Sequence, residues 1–415
     1  MVRDTLEMMA RMMNEALLER TTFRNLWYRE WFDLFLRAYE SGRKVVYTSL
    51  YAFPMEILAA FNVAPFDFEI AGGLMSSMDQ GLPLMTEAEG RGYSADVCSF
   101  HRAGLGGFFK GWFPRPDLLI TTSFYCEGKG KANDVASLVT GADTFYLDVP
   151  REISVESVGY VARQLEDAAR KVGEVAGQGL DMERLKDAVR SSNRSRRLQL
   201  EILDLLKERP MPMNPRDMIA YSINGQLFCG SPVKERLEEQ LIREIGEKRA
   251  RGTARPERHR IFWFAWTPTH RTEVFDILRD HRVGIPLCET FRVHWDEIDE
   301  DRPFEGLALK CLRNPFVGPA ARRLEGMEDV VGAYGIDGGL LFATPACRHS
   351  HNAHMLLKDA FSRLGKPFLK LDLDISDPRG YQPEQVRTRL EAFIEVMDRG
   401  ELRPGHGSVS PENMV

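Results

Sequence analysis

Three cysteines stand at the starts of helical stretches. Cys347 follows the apolar run LLFATPA, Cys126 follows LLITTSFY and precedes GKGKANDVASLVTG, and Cys98 lies in ADVCSFHRAGLGG. A thiol at a helix N-terminus sits beside unpaired backbone N–H groups, a setting that favours the thiolate, the form that attacks electrophiles and binds metals. Three such thiolates converging on one point would make an iron–sulfur site with one iron left open. The spacing alone leaves a second reading standing, in which each is an isolated core thiol. The other three cysteines are Cys229, Cys288 and Cys311. Cys288, after GIPL, reads as lying at a cleft edge, whereas Cys229 and Cys311 read as buried residues at a helix end and in a helix interior. With no CxxC pair and no dense spacing, a disulfide framework is not expected.

Other reactive types need the same weighing. Glu56 opens a helix after Pro54, where the dipole favours a carboxylate whether or not it works as a base. Ser49 lies at the end of the preceding strand. Glu127 and Lys129 read as surface residues beside Cys126. EGKGK lacks the GxxxxGK[ST] spacing of a phosphate-binding loop, so nucleotide hydrolysis is not expected of this chain. His349 and His351, two residues apart, share no helix face and make no zinc pair.

The elements that must position these residues follow from the apolar pattern. Residues 1–42 read as an N-terminal helical segment closed by Ser41-Gly42. Strands are predicted at Lys44 to Thr48, 63–72, PDLLITTSF and TFYLDVP, with a helix around Met55 to Phe61 and another over 94–110 opening near Ser94 and Asp96, both good capping types. Residues 151–257 carry long, charged helical periodicity and read as an insert. Beyond it, RIFWFAWTP, GIPLCET, GGLLFATP and PFLKLDLD alternate with helices. Alternation of this kind argues for parallel sheets covered on both faces. The two halves also match each other in order, LLITTSFYCEG with LLFATPACRHS and KVVYTSLYAFPMEI with RIFWFAWTPTHRTEV. The expected fold is therefore α/β, with two similar Rossmann-like parallel-sheet domains at 43–150 and 258–400, an N-terminal helix, a central helical insert and a tail at 401–415. Cys126 and Cys347 would occupy equivalent carboxyl-end positions in the two halves, where facing domains form a cleft.

Composition excludes several function classes. With 43% hydrophobic and 28% charged residues, the 415-residue chain is neither disordered nor membrane-spanning in character. A net charge of -6 gives no footprint for nucleic acid, and the basic run at 190–197 is closely flanked by acids. MVRDTLEMMARMMNEALLER carries acids through its apolar stretch and reads as a mature helix, which places the protein in the cytoplasm.

From about residue 43 to 398 the chain resembles the 2-hydroxyacyl-CoA dehydratase D-component family, which also holds cluster-bearing subunits of benzoyl-CoA reductases. The resemblance is carried by PMEILAAFNVAP, CSFHRAGLGGFFKG, ITTSFYCEGKGKANDVASLVTGADTFYLDVP, ATPAC, KPFLKLDLDISD and RTRLEAFIEVM, in that order. It implies that Cys98, Cys126 and Cys347 hold a [4Fe–4S] cluster in a cleft between two α/β domains. It further implies an acyl-CoA substrate, a related second subunit in a heterodimer (or a homodimer), and an ATP-dependent activator with its own cluster that delivers one low-potential electron at a time. In the dehydratases that electron lets a hydroxyl leave the acyl chain, and in the reductases it goes to an aromatic ring. Glu56 matches the family's Pro-x-Glu element as a candidate base, and Ser49 is a candidate ligand of the thioester oxygen. SLYAFPME is aromatic and apolar where many dehydratases carry a polar or cysteine-rich loop, which leaves the substrate open and suits a bulky acyl group. Two further alternatives are a double-cubane reductase and a noncatalytic partner subunit.

Overall fold

The computed structural model describes residues 2–400 apart from 50, 125, 216, 219, 220 and 222–225. The predicted tail at 401–415 lies outside the described residues.

Two four-stranded parallel sheets form the frame. In the first, β1 (Lys44–Tyr47), β2 (Val63–Phe66), β3 (Leu118–Thr122) and β4 (Asp143–Leu147) lie in the order β2-β1-β3-β4. In the second, β5 (His259–Phe264), β6 (Val283–Cys288), β7 (Gly338–Ala343) and β8 (Phe368–Asp372) lie in the order β6-β5-β7-β8. The match between halves read from the sequence is thus a match of topology. Strands β3, β5 and β7 are buried along their whole length, as their unbroken apolar runs require of a sheet covered on both faces. In each sheet the chain order reverses beside the first strand, between β1 and β3 and between β5 and β7. Ligands bind outside the carboxyl ends of such strands.

Three predicted elements are corrected. The N-terminal segment is two helices, Val2–Glu19 and Phe23–Leu36, because Thr22 starts the second by accepting a hydrogen bond from Asn25 N at 3.2 Å. The strand expected over 63–72 stops at Phe66, where Asp67 accepts from the amides of Glu69 and Ile70 and opens the helix Phe68–Ser77. The helix expected near Ser94 starts at Ser99, since Ser94 spends its hydroxyl on Asp96 N in a separate turn and Cys98 becomes the capping residue.

The helices of 151–257 brace both halves. Val155–Ala176 packs on β1, β4 and the helix Pro303–Leu312, and Met182–Leu205 packs on Pro232–Ala250 and on Met55–Ala59. Side chains of the long helix hold backbone of the second half: Asn193 bonds Ile298 in both directions, Gln199 donates to Phe291 O and Arg196 donates to Trp295 O.

Candidate active site and metal-binding cysteines

Each of the three predicted cysteines is the capping residue of a helix: Cys98 of Ser99–Phe109, Cys126 of Glu127–Thr140 and Cys347 of Arg348–Asn352. None uses its sulfur to cap the helix, and all three are half-buried. Cys126 follows β3 and Cys347 follows β7 through a turn in which Cys347 N donates to Thr344 O at 2.9 Å. The Thr344 hydroxyl in that turn is buried and has no hydrogen-bond partner among the described residues.

Contacts across the cleft draw these helix starts together. Arg348, the neighbour of Cys347, pairs with Glu127, the neighbour of Cys126, at 3.0 Å. Ser99, next to Cys98, donates to Asp374 beyond β8 and accepts from Ser376 N. Three residues further on, the buried Arg102 pairs with Glu89 and, at 3.1 Å, with Asp377. Desolvation by the surrounding protein pushes the Cys98 thiol up to about 11, with His101 opposing and Glu69 and Cys126 adding to the rise. The helix end alone, therefore, does not make Cys98 a thiolate, and a metal would have to displace its proton.

Behind Cys126 lies a buried charged network. His101 Nε2 is 3.5 Å from the Cys126 sulfur, and its Nδ1 contacts Glu69. Lys129 reaches Asp67 at 2.6 Å and Glu69 at 3.4 Å, with its ammonium 4.1 Å from the Phe68 ring centre. The sequence reading of Lys129 as a surface residue is corrected, because it is 4% exposed. Glu127 is at the surface as expected.

No group of three His, Cys, Asp or Glu side chains among the described residues is gathered closely enough to hold a single metal ion. A four-iron cube spreads its thiolates over different irons and asks for a wider set of soft donors. Three sulfurs free of capping duty, on helix starts tied together across a cleft, match that donor chemistry.

A cavity of about 50 Å³ opens between the halves, lined in part by Tyr51, Phe53, Phe124, His294, Lys310 and Phe316. That is far below the roughly 300 Å³ of a small ligand pocket, so an acyl group would have to widen it. Cys229 and Cys311 also face it; both are buried, and burial pushes the Cys311 thiol up to about 12. Cys288 is buried at the end of β6, 3.4 Å from the Thr290 hydroxyl.

Glu56 is fully buried directly behind the cleft wall. Its Oε1 accepts from Lys310 Nζ and from Ser192 Oγ, both at 2.7 Å, while Oε2 has no partner among the described residues. Burial would raise its pKa, but the Lys310 charge and the two hydrogen bonds outweigh it and hold the carboxyl below its usual range. Ser49 lies just beyond β1, where its carbonyl accepts from Ala52 N and Phe53 N and turns the chain toward the cleft.

The 2-hydroxyglutaryl-CoA dehydratase D-component family model matches residues 50–397. The chain belongs to this family. Among D-component relatives it is similar to one of the subunits of the benzoyl-CoA reductase of Thauera aromatica, 24% identical over 87% of this chain and 90% of that one. It is also similar to the (R)-2-hydroxyisocaproyl-CoA dehydratase alpha subunit of Clostridioides difficile, 23% identical over 94% and 100%. The (R)-phenyllactyl-CoA dehydratase alpha subunit of Clostridium sporogenes is 22% identical over 87% and 91%. These D-component relatives are subunits of lyases or of an oxidoreductase, the two enzyme classes that the sequence left side by side. No helix of the described residues is long and apolar enough to cross a membrane.

Four site residues escaped the sequence reading. His101 and Lys129 meet partners 32 and 62 positions away, and Lys310 meets Glu56 across 254 positions. Nothing local marks such pairs. His294 is held neutral, its pKa lowered to about 3 by burial and by the charge of Lys310.

Proposed function

We propose that this chain is the iron–sulfur subunit of a 2-hydroxyacyl-CoA dehydratase-type enzyme. In this reading Cys98, Cys126 and Cys347 hold a [4Fe–4S] cluster. A related second subunit completes the enzyme, and an ATP-dependent activator supplies low-potential electrons. The bound cluster would supply single electrons and, through an iron without a protein thiolate, a Lewis acid. The observation that carries the reading is the Arg348–Glu127 pair, which ties the starts of the Cys347 and Cys126 helices together across the cleft.

The chain's own residues have assignable tasks. Phe53, Phe124 and Phe316 exclude water from the cleft. Lys310 and the neutral His294 offer N–H donors toward a thioester oxygen, with Ser49 as the hydroxyl donor from the turn after β1. Glu56 is ionised at neutral pH, and its free Oε2 is the proton-accepting atom. The same aromatic lining favours a second reading, a subunit of an ATP-dependent benzoyl-CoA reductase, since a flat ring packs well between such side chains.

The test is anaerobic purification followed by iron and sulfide analysis, then assays with the partner subunit and activator on 2-hydroxyacyl and aromatic CoA thioesters. About four iron and four sulfide per chain, with water elimination from a hydroxyacyl thioester, is the expected result. Negligible iron and sulfide after reconstitution would overturn it, and ring reduction in place of elimination would select the second reading.

A further inference from the structure

Of all the side chains around the three cysteines, the imidazole of His101 is the one held in hydrogen-bonding range of a sulfur by charges that are themselves buried. Its Nε2 lies 3.5 Å from Cys126 Sγ and its Nδ1 contacts Glu69. His101, Glu69, Lys129 and Asp67 are 7%, 8%, 4% and 2% exposed. We propose that His101 is a positioning residue that donates its Nε2–H to the Cys126 sulfur and thereby raises the reduction potential of the metal group that this cysteine binds. The proposal rests on Cys126 being a cluster ligand, as read above.

Hydrogen-bond bookkeeping requires the donor. The Glu69 carboxylate takes a proton from Nδ1, and a metal-bound thiolate carries no proton of its own. Nε2 must then hold one, or two lone pairs would face each other. The charges agree: Asp67 and Glu69 against Lys129 alone leave one buried negative charge, which the doubly protonated ring cancels. The ring also has room made for it. A Cβ at residue 128 would overlap His101 Nε2, so glycine at that position lets the imidazole reach the sulfur. A donor to a ligand sulfur draws electron density off it and favours the reduced cluster, the usual route by which surrounding hydrogen bonds tune potential.

The experiment compares wild type, His101→Phe and Gly128→Ala, each reconstituted anaerobically, by iron analysis and by a one-electron redox titration followed by EPR. His101→Phe should keep iron and shift the reduction equilibrium at least about tenfold toward the oxidised form, a fall of about 59 mV. Gly128→Ala, which keeps every charge and pushes the ring off the sulfur, should move the potential the same way and reads the effect even where His101→Phe fails to fold. Full iron with an unchanged potential in Gly128→Ala overturns the proposal while leaving the cluster reading intact. A wild type without iron overturns both.

Discussion

Lys310 sets its ammonium 2.7 Å from Glu56 Oε1, and the two residues belong to opposite halves of the molecule. The pair is buried, with the Lys310 ammonium also 4.8 Å from the Trp295 ring centre. Removing one partner strands a charge in the interior. Lys310→Met is expected to cost about 3–5 kcal/mol in denaturant unfolding, whereas Glu56→Met with Lys310→Met should recover most of that loss. A single substitution costing under about 1 kcal/mol would show that water reaches the pair.

The three cysteine assignments separate cleanly from the other three cysteines. Cys98→Ser, Cys126→Ser and Cys347→Ser should each lower bound iron substantially in anaerobically prepared protein, because a hydroxyl is a poor substitute for a thiolate on iron. Cys229→Ser and Cys311→Ser, both in buried apolar surroundings, should leave iron content unchanged. Full iron in any one of the first three would remove that residue from the ligand set.

His294 makes stability depend on pH in one direction. Its pKa is lowered to about 3 in the folded chain, below the ordinary histidine value of 6.5, by burial and the Lys310 charge. Between those values the unfolded chain binds the extra proton, so stability falls as pH drops from about 6.5 toward 3. His294→Gln should flatten the stability profile over that window in urea unfolding. An unchanged slope would mean that another group governs the acid limb.

Two arginines on the same acidic pair should behave differently. Arg102 is 2% exposed and links Glu89 to Asp377 from inside, while Arg379 bonds the same two carboxylates from the partly exposed side. Arg102→Leu is expected to cost about 3 kcal/mol and Arg379→Ala under about 1 kcal/mol by chemical denaturation. Equal costs would place the stabilisation in the network as a whole.

The frame was legible because a buried parallel strand writes itself as a continuous apolar run, and LLITT and GGLLFA did so without interruption. The cysteine positions followed from those strands. Helix starts were less legible: Asp67 opens a helix inside a stretch whose apolar residues carry on as though the strand did, and Ser94 is a good cap that makes a turn. The buried ion pairs were not legible at all. Lys129 and Glu56 look like ordinary surface charges until folding brings Asp67 and Lys310 beside them, and no local spacing encodes that meeting.

The shared strand order has an uneven result. Superposing one sheet's chain order on the other sends Cys126 to Cys347, but Cys98, between β2 and β3, maps to the β6–β7 connection, whose cysteine, Cys311, sits inside a helix and not at its start. A duplicated scaffold would by itself deliver an even, two-sided grip. The odd sulfur comes from one half alone, so the crevice has a handedness that its architecture lacks, and whatever enters meets two chemically different walls.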